Sequence, residues 1–197
     1  FYLFGREGTI NADAYRTDFE NQIVVDIENQ NELSFYNLEG DSYATSMQLD
    51  FAYELFNRFD VKMAYKINDV KSTYFGDGET KETPLIPRNR ALLNLAYATN
   101  FDKWIFDVTA NYIGESRVPL WLPLITKKYS ESFYIYNAQI TKKFRKFDVY
   151  VGGENLLGYT QGTAILGNPS SDSFDASLIY APINGTMIYG GFRFKIK

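Results

Sequence analysis

The 197-residue chain contains no cysteine and no histidine. The absence of cysteine excludes a disulfide framework and a zinc site built on thiolates. The absence of histidine removes the most common general base and the most common ligand of catalytic metals. We therefore expect no catalytic residues, no bound metal and no cofactor, and we expect that the protein is not an enzyme.

The chain also lacks any apolar run approaching the roughly 18–20 residues of a transmembrane helix. This does not exclude a membrane protein, because a transmembrane β-barrel distributes its apolar residues in alternation along its strands. The net charge is −4 and the 20 basic residues are scattered, so nothing indicates binding of nucleic acid. The chain begins at Phe1-Tyr2-Leu3-Phe4 with no initiator methionine or signal-like segment, which fits a mature protein or a piece of a longer one.

What the chain has is a period-two alternation of apolar and polar residues that recurs along its length. In 59–67 the odd positions are apolar or aromatic, whereas the even positions include Asp60, Lys62 and Lys66. Successive side chains of a strand point to opposite faces, so each such segment is a strand with one apolar and one polar side. We predict eight long strands after the tail of another, at 9–28, 33–56, 59–75, 86–99, 104–115, 132–144, 147–158 and 184–196.

The predicted connections alternate between short turns and longer loops. The turns are Gly5–Gly8, Asn57-Arg58, Asn100–Lys103 and Arg145-Lys146, and the loops are 29–32, 76–85, 116–131 and 159–183. Short turns at one end of a sheet and long loops at the other are typical of an up-and-down transmembrane β-barrel.

Aromatic residues support the same interpretation. They flank the short turns, and a second set recurs farther along the strands at Tyr65, Tyr112, Tyr134 and Tyr136. Trp104 and Tyr112 are separated by about 20 Å once a strand tilt of about 40° is allowed for, which approaches the ~25 Å apolar band of such barrels. The spacing therefore predicts two aromatic girdles.

A soluble all-β barrel or sandwich is the alternative, since periodicity alone does not show whether the apolar sides point inward or outward. Those sides carry large residues almost without interruption, whereas a small closed barrel needs small residues among them. We therefore favour an all-β, antiparallel, up-and-down transmembrane β-barrel.

Several segments, taken in order, resemble the late barrel of TonB-dependent outer-membrane receptors. They are Ala12–Asp18, Asn21–Ile23, Tyr36–Gly40, Pro87-Arg88, Gly114–Arg117, Gly153–Leu157 and Asn184–Phe192. The resemblance implies about the last eight strands of a 22-stranded barrel, with residues 1–197 as an incomplete domain that contains no plug domain. Two features depart from the family pattern: Thr186 stands where arginine is common, and the chain ends in Phe194-Lys195-Ile196-Lys197 rather than on a terminal aromatic.

The resemblance also implies a function, which is TonB-energised uptake of a scarce nutrient such as an iron–siderophore, haem or cobalamin across the outer membrane of a Gram-negative bacterium. The implied partners are outer-membrane lipid, a plug domain and the rest of the barrel, the TonB complex, the small-molecule cargo and an accessory surface lipoprotein. Two other functions stay open: a self-contained small outer-membrane barrel, acting structurally, as an adhesin or as a passive pore, and a soluble β-rich binding protein.

Two sets of residues are candidate sites. Aromatic and cationic side chains on loops suit ligand recognition, and the candidates are Arg117, Trp121, Lys127, Tyr129, Tyr74 and Tyr159. The polar sides of the strands are expected to line the lumen and face the plug through Asn11, Asp13, Tyr15, Gln48, Asp50, Lys62, Lys66, Asp107, Asn111, Asn137 and Gln139. Packing of the loop and solvation of the polar sides are the alternatives for these two sets.

Overall fold

The computed structural model describes residues 1–27, 32–74, 78–119, 128–162, 164–165, 168, 170 and 174–195. A short 3₁₀ turn spans Asn100–Asp102, and the other regular elements are strands. The strands are β1 (Tyr2–Leu3), β2 (Arg6–Asp18), β3 (Ile23–Asp26), β4 (Ser34–Asn37), β5 (Ser42–Phe56), β6 (Phe59–Thr73), β7 (Thr80–Glu82), β8 (Asn89–Ala98), β9 (Trp104–Ile113), β10 (Phe133–Lys143), β11 (Phe147–Glu154) and β12 (Met187–Phe194).

One antiparallel sheet contains the eight long strands in the order β2-β5-β6-β8-β9-β10-β11-β12, with β1 beside β2 and β7 beside β6. Each long strand pairs with the next long strand along the chain, which is an up-and-down topology. Within the described residues the sheet does not close on itself, and β3 and β4 form a separate two-stranded sheet. The prediction of an all-β, antiparallel chain with eight long strands is confirmed.

The register gives the large sheet two chemically different faces. Directly paired residues of antiparallel strands share a face, and Tyr65, Ala91, Tyr112 and Tyr134 form one such row across four strands. The neighbouring positions on each strand point the other way. We call the face with this row the apolar face, and the opposite one, which carries Lys66, the polar face.

The predicted short turns at Asn57-Arg58, 100–103 and Arg145-Lys146 are confirmed, and they lie at one end of the sheet. Arg58 has a positive φ of 65°, and its N–H donates to Glu54 Oε1 at 2.6 Å. A positive φ costs free energy at a residue other than glycine. The hydrogen bond to Glu54 stabilises the turn despite that cost. We call this end of the sheet the turn end and the opposite end the loop end.

Two predicted strands, 9–28 and 33–56, are wrong as continuous elements. The first is broken after Asp18, where Asn21 has a φ of 52°, and the second is broken before Ser42, where Gly40 has a φ of 128°. A Cβ at Gly40 would lie 2.8 Å from Thr73 Oγ1, so this segment packs against β6 only because the residue is glycine. The segments beyond the breaks pair with each other as the β3–β4 hairpin.

Most of the buried apolar side chains among the described residues lie at the loop end. Tyr74, Val118, Phe133 and Leu178 are each less than 7% exposed. The apolar face is exposed, and Phe192 on it is 73% exposed. The reason is that a single-layered sheet has no second layer to cover this face. A large continuous apolar surface of this kind indicates contact with another apolar phase or molecule. In the described part of the chain no helix is long and apolar enough to cross a membrane.

Candidate functional site

All of the predicted lumen residues lie on the polar face. The register places Asn11, Asp13, Tyr15, Gln48, Asp50, Lys62, Lys66, Asp107, Asn111, Asn137 and Gln139 on that one surface of β2, β5, β6, β9 and β10. The sheet thus brings together side chains from positions more than 100 residues apart.

Several polar-face side chains hydrogen-bond to one another. Gln48 Nε2 donates to both oxygens of Asp50 at 3.0 and 2.9 Å, and Tyr189 Oη donates to Gln139 Oε1 at 3.2 Å. Asn94 Nδ2 lies 3.1 Å from both carboxylate oxygens of Asp107. These hydrogen bonds fix the directions of the polar groups. A surface recognises a partner through donors and acceptors that are fixed in this way.

Arg90 and Asn94 belong to the same face but are absent from the predicted set. Arg90 pairs directly with Lys66, and Asn94 pairs with Lys62. The alternation within 90–96 is the signal that would have identified them. The even positions there are Arg90, Leu92, Asn94 and Ala96, and they share one face of the strand. Leu92 obscures this pattern because it is apolar on the otherwise polar side.

The apolar face carries aromatic rings near both ends. At the turn end Phe59, Tyr97 and Phe106 follow one another across β6, β8 and β9 with ring centroids 6.5 and 6.4 Å apart. Trp104 lies 6.4 Å from Phe106, and Lys142 Nζ is 4.7 Å above the Trp104 ring. We call these rings the turn-end aromatic row.

Nearer the loop end, the second predicted aromatic set also lies on the apolar face. The rings of Tyr112 and Tyr134 are 5.1 Å apart, and those of Tyr134 and Tyr136 are 6.3 Å apart. Tyr65 is in the same register row as Tyr112 and accepts a hydrogen bond from Asn89 Nδ2 at 3.1 Å. We call Tyr65, Tyr112, Tyr134 and Tyr136 the loop-end tyrosine row.

Three of the predicted ligand residues meet at the loop end in a cluster that we call the loop-end cluster: Tyr74, Glu82, Arg88, Arg117 and Tyr129. Arg117 is 5% exposed, its Nε donates to the backbone oxygen of Glu82, and its guanidinium lies 5.4 Å from the Tyr74 ring centroid. Arg88 donates to Glu82 Oε1 at 2.8 Å and to Tyr129 Oη at 2.7 Å. The hydrogen bond to Glu82 raises the pKa of the Arg88 guanidinium above its ordinary value.

This geometry separates the predicted ligand residues into two kinds. Arg117 and Tyr74 are buried and join the segment after β6 to the segment after β9, so both side chains hold these two segments together. Tyr129 is half-buried over Arg88, with the guanidinium 4.2 Å from its ring centroid. Trp121 and Lys127 lie outside the described residues.

Tyr159, the remaining candidate, lies at the start of the long connection between β11 and β12. Its ring stacks on Phe133 with centroids 4.8 Å apart and an interplanar angle of 6°. Burial raises the pKa of the Tyr159 phenol above its ordinary value, and the neighbouring Tyr180 and Glu131 add to that shift. In the described part of the chain no cluster of three or more acidic residues could hold a metal ion.

A single-layered, up-and-down antiparallel sheet with one polar face, one apolar face and two aromatic rows defines the wall of a β-barrel. The family model described as TonB dependent receptor-like, β-barrel matches residues 1–156. The chain belongs to this family, whose receptors are outer-membrane transporters rather than enzymes.

Solved structures of such receptors share the fold at low sequence identity. The ferric-catecholate import receptor Fiu of Escherichia coli K12 in its closed form is 18% identical with a TM-score of 0.62, and the match covers 96% of this chain and 25% of that one. FpvA of Pseudomonas aeruginosa bound to a heterologous pyoverdine is 15% identical with a TM-score of 0.63, covering 98% and 25%.

A third similar structure is FpvAI in complex with pyocin S2, which is 14% identical with a TM-score of 0.62 and is matched over 98% of this chain and 26% of that one. The chain therefore spans about a quarter of the length of these receptors. No protein with a curated description matches it.

Proposed function

We propose that this chain is part of the wall of an outer-membrane importer, which takes up a scarce nutrient with energy delivered by TonB. The observation that carries the proposal is the match of the barrel family model to residues 1–156. Those residues form most of a sheet with one apolar and one polar face, as a barrel wall requires. The same observation argues against a soluble binding protein, because that protein would have to cover the exposed apolar face with a second layer.

In this proposal the apolar face contacts lipid. Tyrosine and tryptophan are favoured at the two membrane–water boundaries, and the turn-end aromatic row and the loop-end tyrosine row supply them at two heights of the sheet. Lys142 suits the turn-end boundary, since its ammonium lies over the Trp104 ring and can extend its charge away from the apolar band.

The polar face then lines the lumen and faces a plug domain, because ionisable groups cannot face lipid without a large cost in free energy. Asn11, Lys62 and Asn111 are examples of the side chains available for plug contacts. The hydrogen-bonded pairs on this face, such as Gln48 with Asp50, would present fixed donors and acceptors to the plug. The TonB complex would act on the plug rather than on this wall.

The loop end would lie outside the cell and meet the cargo. Tyr129 and Tyr159 are the described candidates with exposed surface, while Arg117 and Tyr74 would hold the loop that presents Tyr129. An iron(III) chelate is the first cargo to test, because the similar structure Fiu is described as a ferric-catecholate import receptor. Haem and cobalamin are the other cargo classes, and an accessory surface lipoprotein is a further proposed partner.

The test is uptake by living cells. The complete gene that encodes this chain is expressed in a Gram-negative host that lacks its own iron-chelate receptors, with and without a functional TonB. Uptake of radiolabelled iron chelate that disappears without TonB supports the importer. Passage of small solutes at the same rate with and without TonB would instead identify a passive pore.

A further inference from the structure

Two cations lie directly opposite each other on the polar face. Lys66 on β6 pairs with Arg90 on β8, and directly opposed side chains have Cβ atoms about 5 Å apart. Within the described residues, no hydrogen bond or ion pair joins either side chain to another group. Like charges directly opposite each other lower the stability of a sheet, so this pair favours a bound anion.

Among the described residues, no carboxylate forms an ion pair with Lys66 or Arg90. Asp50 keeps its negative charge, but it pairs with Ala64 rather than with either cation, and both of its oxygens accept hydrogen bonds from Gln48 Nε2. Asp13 pairs with Gln48 on the far side of β5, which places it two strand spacings, about 10 Å, from Lys66. Glu115, just beyond β9, is exposed and forms no ion pair with Arg90. The positive charge therefore faces an open space.

That space is a hollow of about 430 Å³ on the same surface, which is within the usual range for a small-molecule site. Gln48 and Asn111 contribute side-chain amides to its wall, and Leu92, Ile113 and Ile135 contribute an apolar floor. An arginine fork binds a carboxylate or phenolate through two parallel hydrogen bonds, and a lysine ammonium adds a point charge. The Asn111 amide can donate a further hydrogen bond to the same ligand.

We propose that Lys66 and Arg90 form a binding site for a small organic polyanion, and that the cargo of this importer is therefore negatively charged. The proposal rests on the proposed function, which makes the polar face the wall of the transport path. Tyr65 and Ala91, the chain neighbours of the two cations, belong to the row of the loop-end tyrosines. The site thus lies near the mouth, where cargo arriving from the loops would first meet the wall.

The test uses the complete receptor purified in detergent and citrate as the probe, with neutral cyanocobalamin as the uncharged comparison. We expect citrate to bind in calorimetric titration, and we expect Lys66→Gln and Arg90→Gln each to weaken it about tenfold, the loss of one charge-assisted hydrogen bond. Lys103→Gln makes the same charge change on an exposed turn and should leave the affinity unchanged. Absence of citrate binding, or binding that ignores both substitutions, would overturn the proposal.

A carboxylate of the plug domain is the other source of an anion for Lys66 and Arg90. Thermal unfolding distinguishes binding of a free ligand from occupation of the site by that carboxylate. If the site is empty before ligand binds, Lys66→Gln removes repulsion and raises the unfolding midpoint of the unliganded receptor. A lowered midpoint would show that a plug carboxylate already occupies the site, and the proposal would fail.

TonB-dependent uptake in cells is measured separately, so the two failures are distinguishable. A receptor that imports neutral cargo and does not bind citrate contradicts the polyanion site alone. A receptor that binds citrate through Lys66 and Arg90 but shows no dependence on TonB contradicts the importer alone.

Discussion

The side-chain oxygen of Asn137, on the polar face of β10, accepts a hydrogen bond at 3.0 Å from the backbone N–H of Asn155, the first residue after β11. Asn155 is 5% exposed and has a φ of 50°. Its own amide accepts from Tyr159 N–H at 3.0 Å and donates to the carbonyl oxygens of Tyr159 and Asn184 at 2.7 and 3.2 Å. One residue therefore ends β11 and fixes both ends of the long connection to β12.

We expect Asn155→Ala to lower the free energy of unfolding by about 2–3 kcal/mol. The substitution removes the side-chain partners of two part-buried carbonyl groups and one N–H, and a polar group left unpaired away from water carries a desolvation penalty. Alanine is also disfavoured at a positive φ. Urea unfolding of the receptor in lipid vesicles measures the change, and a loss below about 0.5 kcal/mol, within the range of surface substitutions, would contradict the role assigned to Asn155.

Asn155→Gly separates the two causes. Glycine adopts the positive φ without strain but also lacks the amide. It should therefore recover about 1 kcal/mol relative to alanine and remain less stable than the parent. Full recovery with glycine would mean that the backbone, not the hydrogen bonds, accounts for the loss.

Gly152 on β11 gives a second prediction. The ring of Tyr189 on β12 lies over this residue, so that a Cβ there would lie 2.5 Å from the ring and 2.9 Å from the carbonyl oxygen of Ala138. Gly152→Ala forces Tyr189 to move away from Gln139, and we expect a loss of about 1–3 kcal/mol, the cost of overpacking. Gly162→Ala is the control, because among the described residues no atom lies within 4 Å of a Cβ at Gly162. Equal stability of the two variants would refute the close packing.

The alternation was sufficient to predict the faces of the strands, because the side-chain period of a strand does not depend on its neighbours. Lys62 and Asn137 could thus be assigned to the same face before their strands were known to lie in one sheet. The break at Gly40 was not predictable, since it depends on the distant contact with Thr73. The burial of Arg117 follows in the same way from contacts with Glu82 and Tyr74, which are far away in the sequence.

Tyr159 provides a pH-dependent prediction at the loop end. Its phenol pKa is raised above the ordinary value of 10.0, first by burial, so the folded state holds this proton more tightly than the unfolded state does. The stabilisation is fully present below about pH 10 and is lost as the pH rises through the raised pKa. Tyr159→Phe should flatten the dependence of unfolding free energy on pH above pH 10. An unchanged alkaline slope in this variant would contradict the prediction.

Leu92 and Leu93 test which face of the sheet contacts lipid. They are neighbours on β8 with exposures of 36% and 38%, but Leu92 shares the polar face with Asn111 and Leu93 shares the apolar face with Ala110. In water, arginine at either position would cost a similar small amount, because both side chains are equally exposed. In a barrel wall, Leu93→Arg places a charge in lipid and should destabilise the protein by about 2–4 kcal/mol if it lies near the bilayer midplane.

Leu92→Arg is the matched control, since its charge would enter the lumen beside Asn111. Its repulsion from Arg90, two positions away on the same face, should cost no more than about 1 kcal/mol, which is less than the penalty expected in lipid. Folding into lipid vesicles followed by urea titration measures both variants under the same conditions. A penalty confined to Leu93→Arg requires the apolar face to contact lipid. Equal penalties would mean that both faces meet the same medium, and a penalty confined to Leu92→Arg would reverse the proposed orientation of the wall.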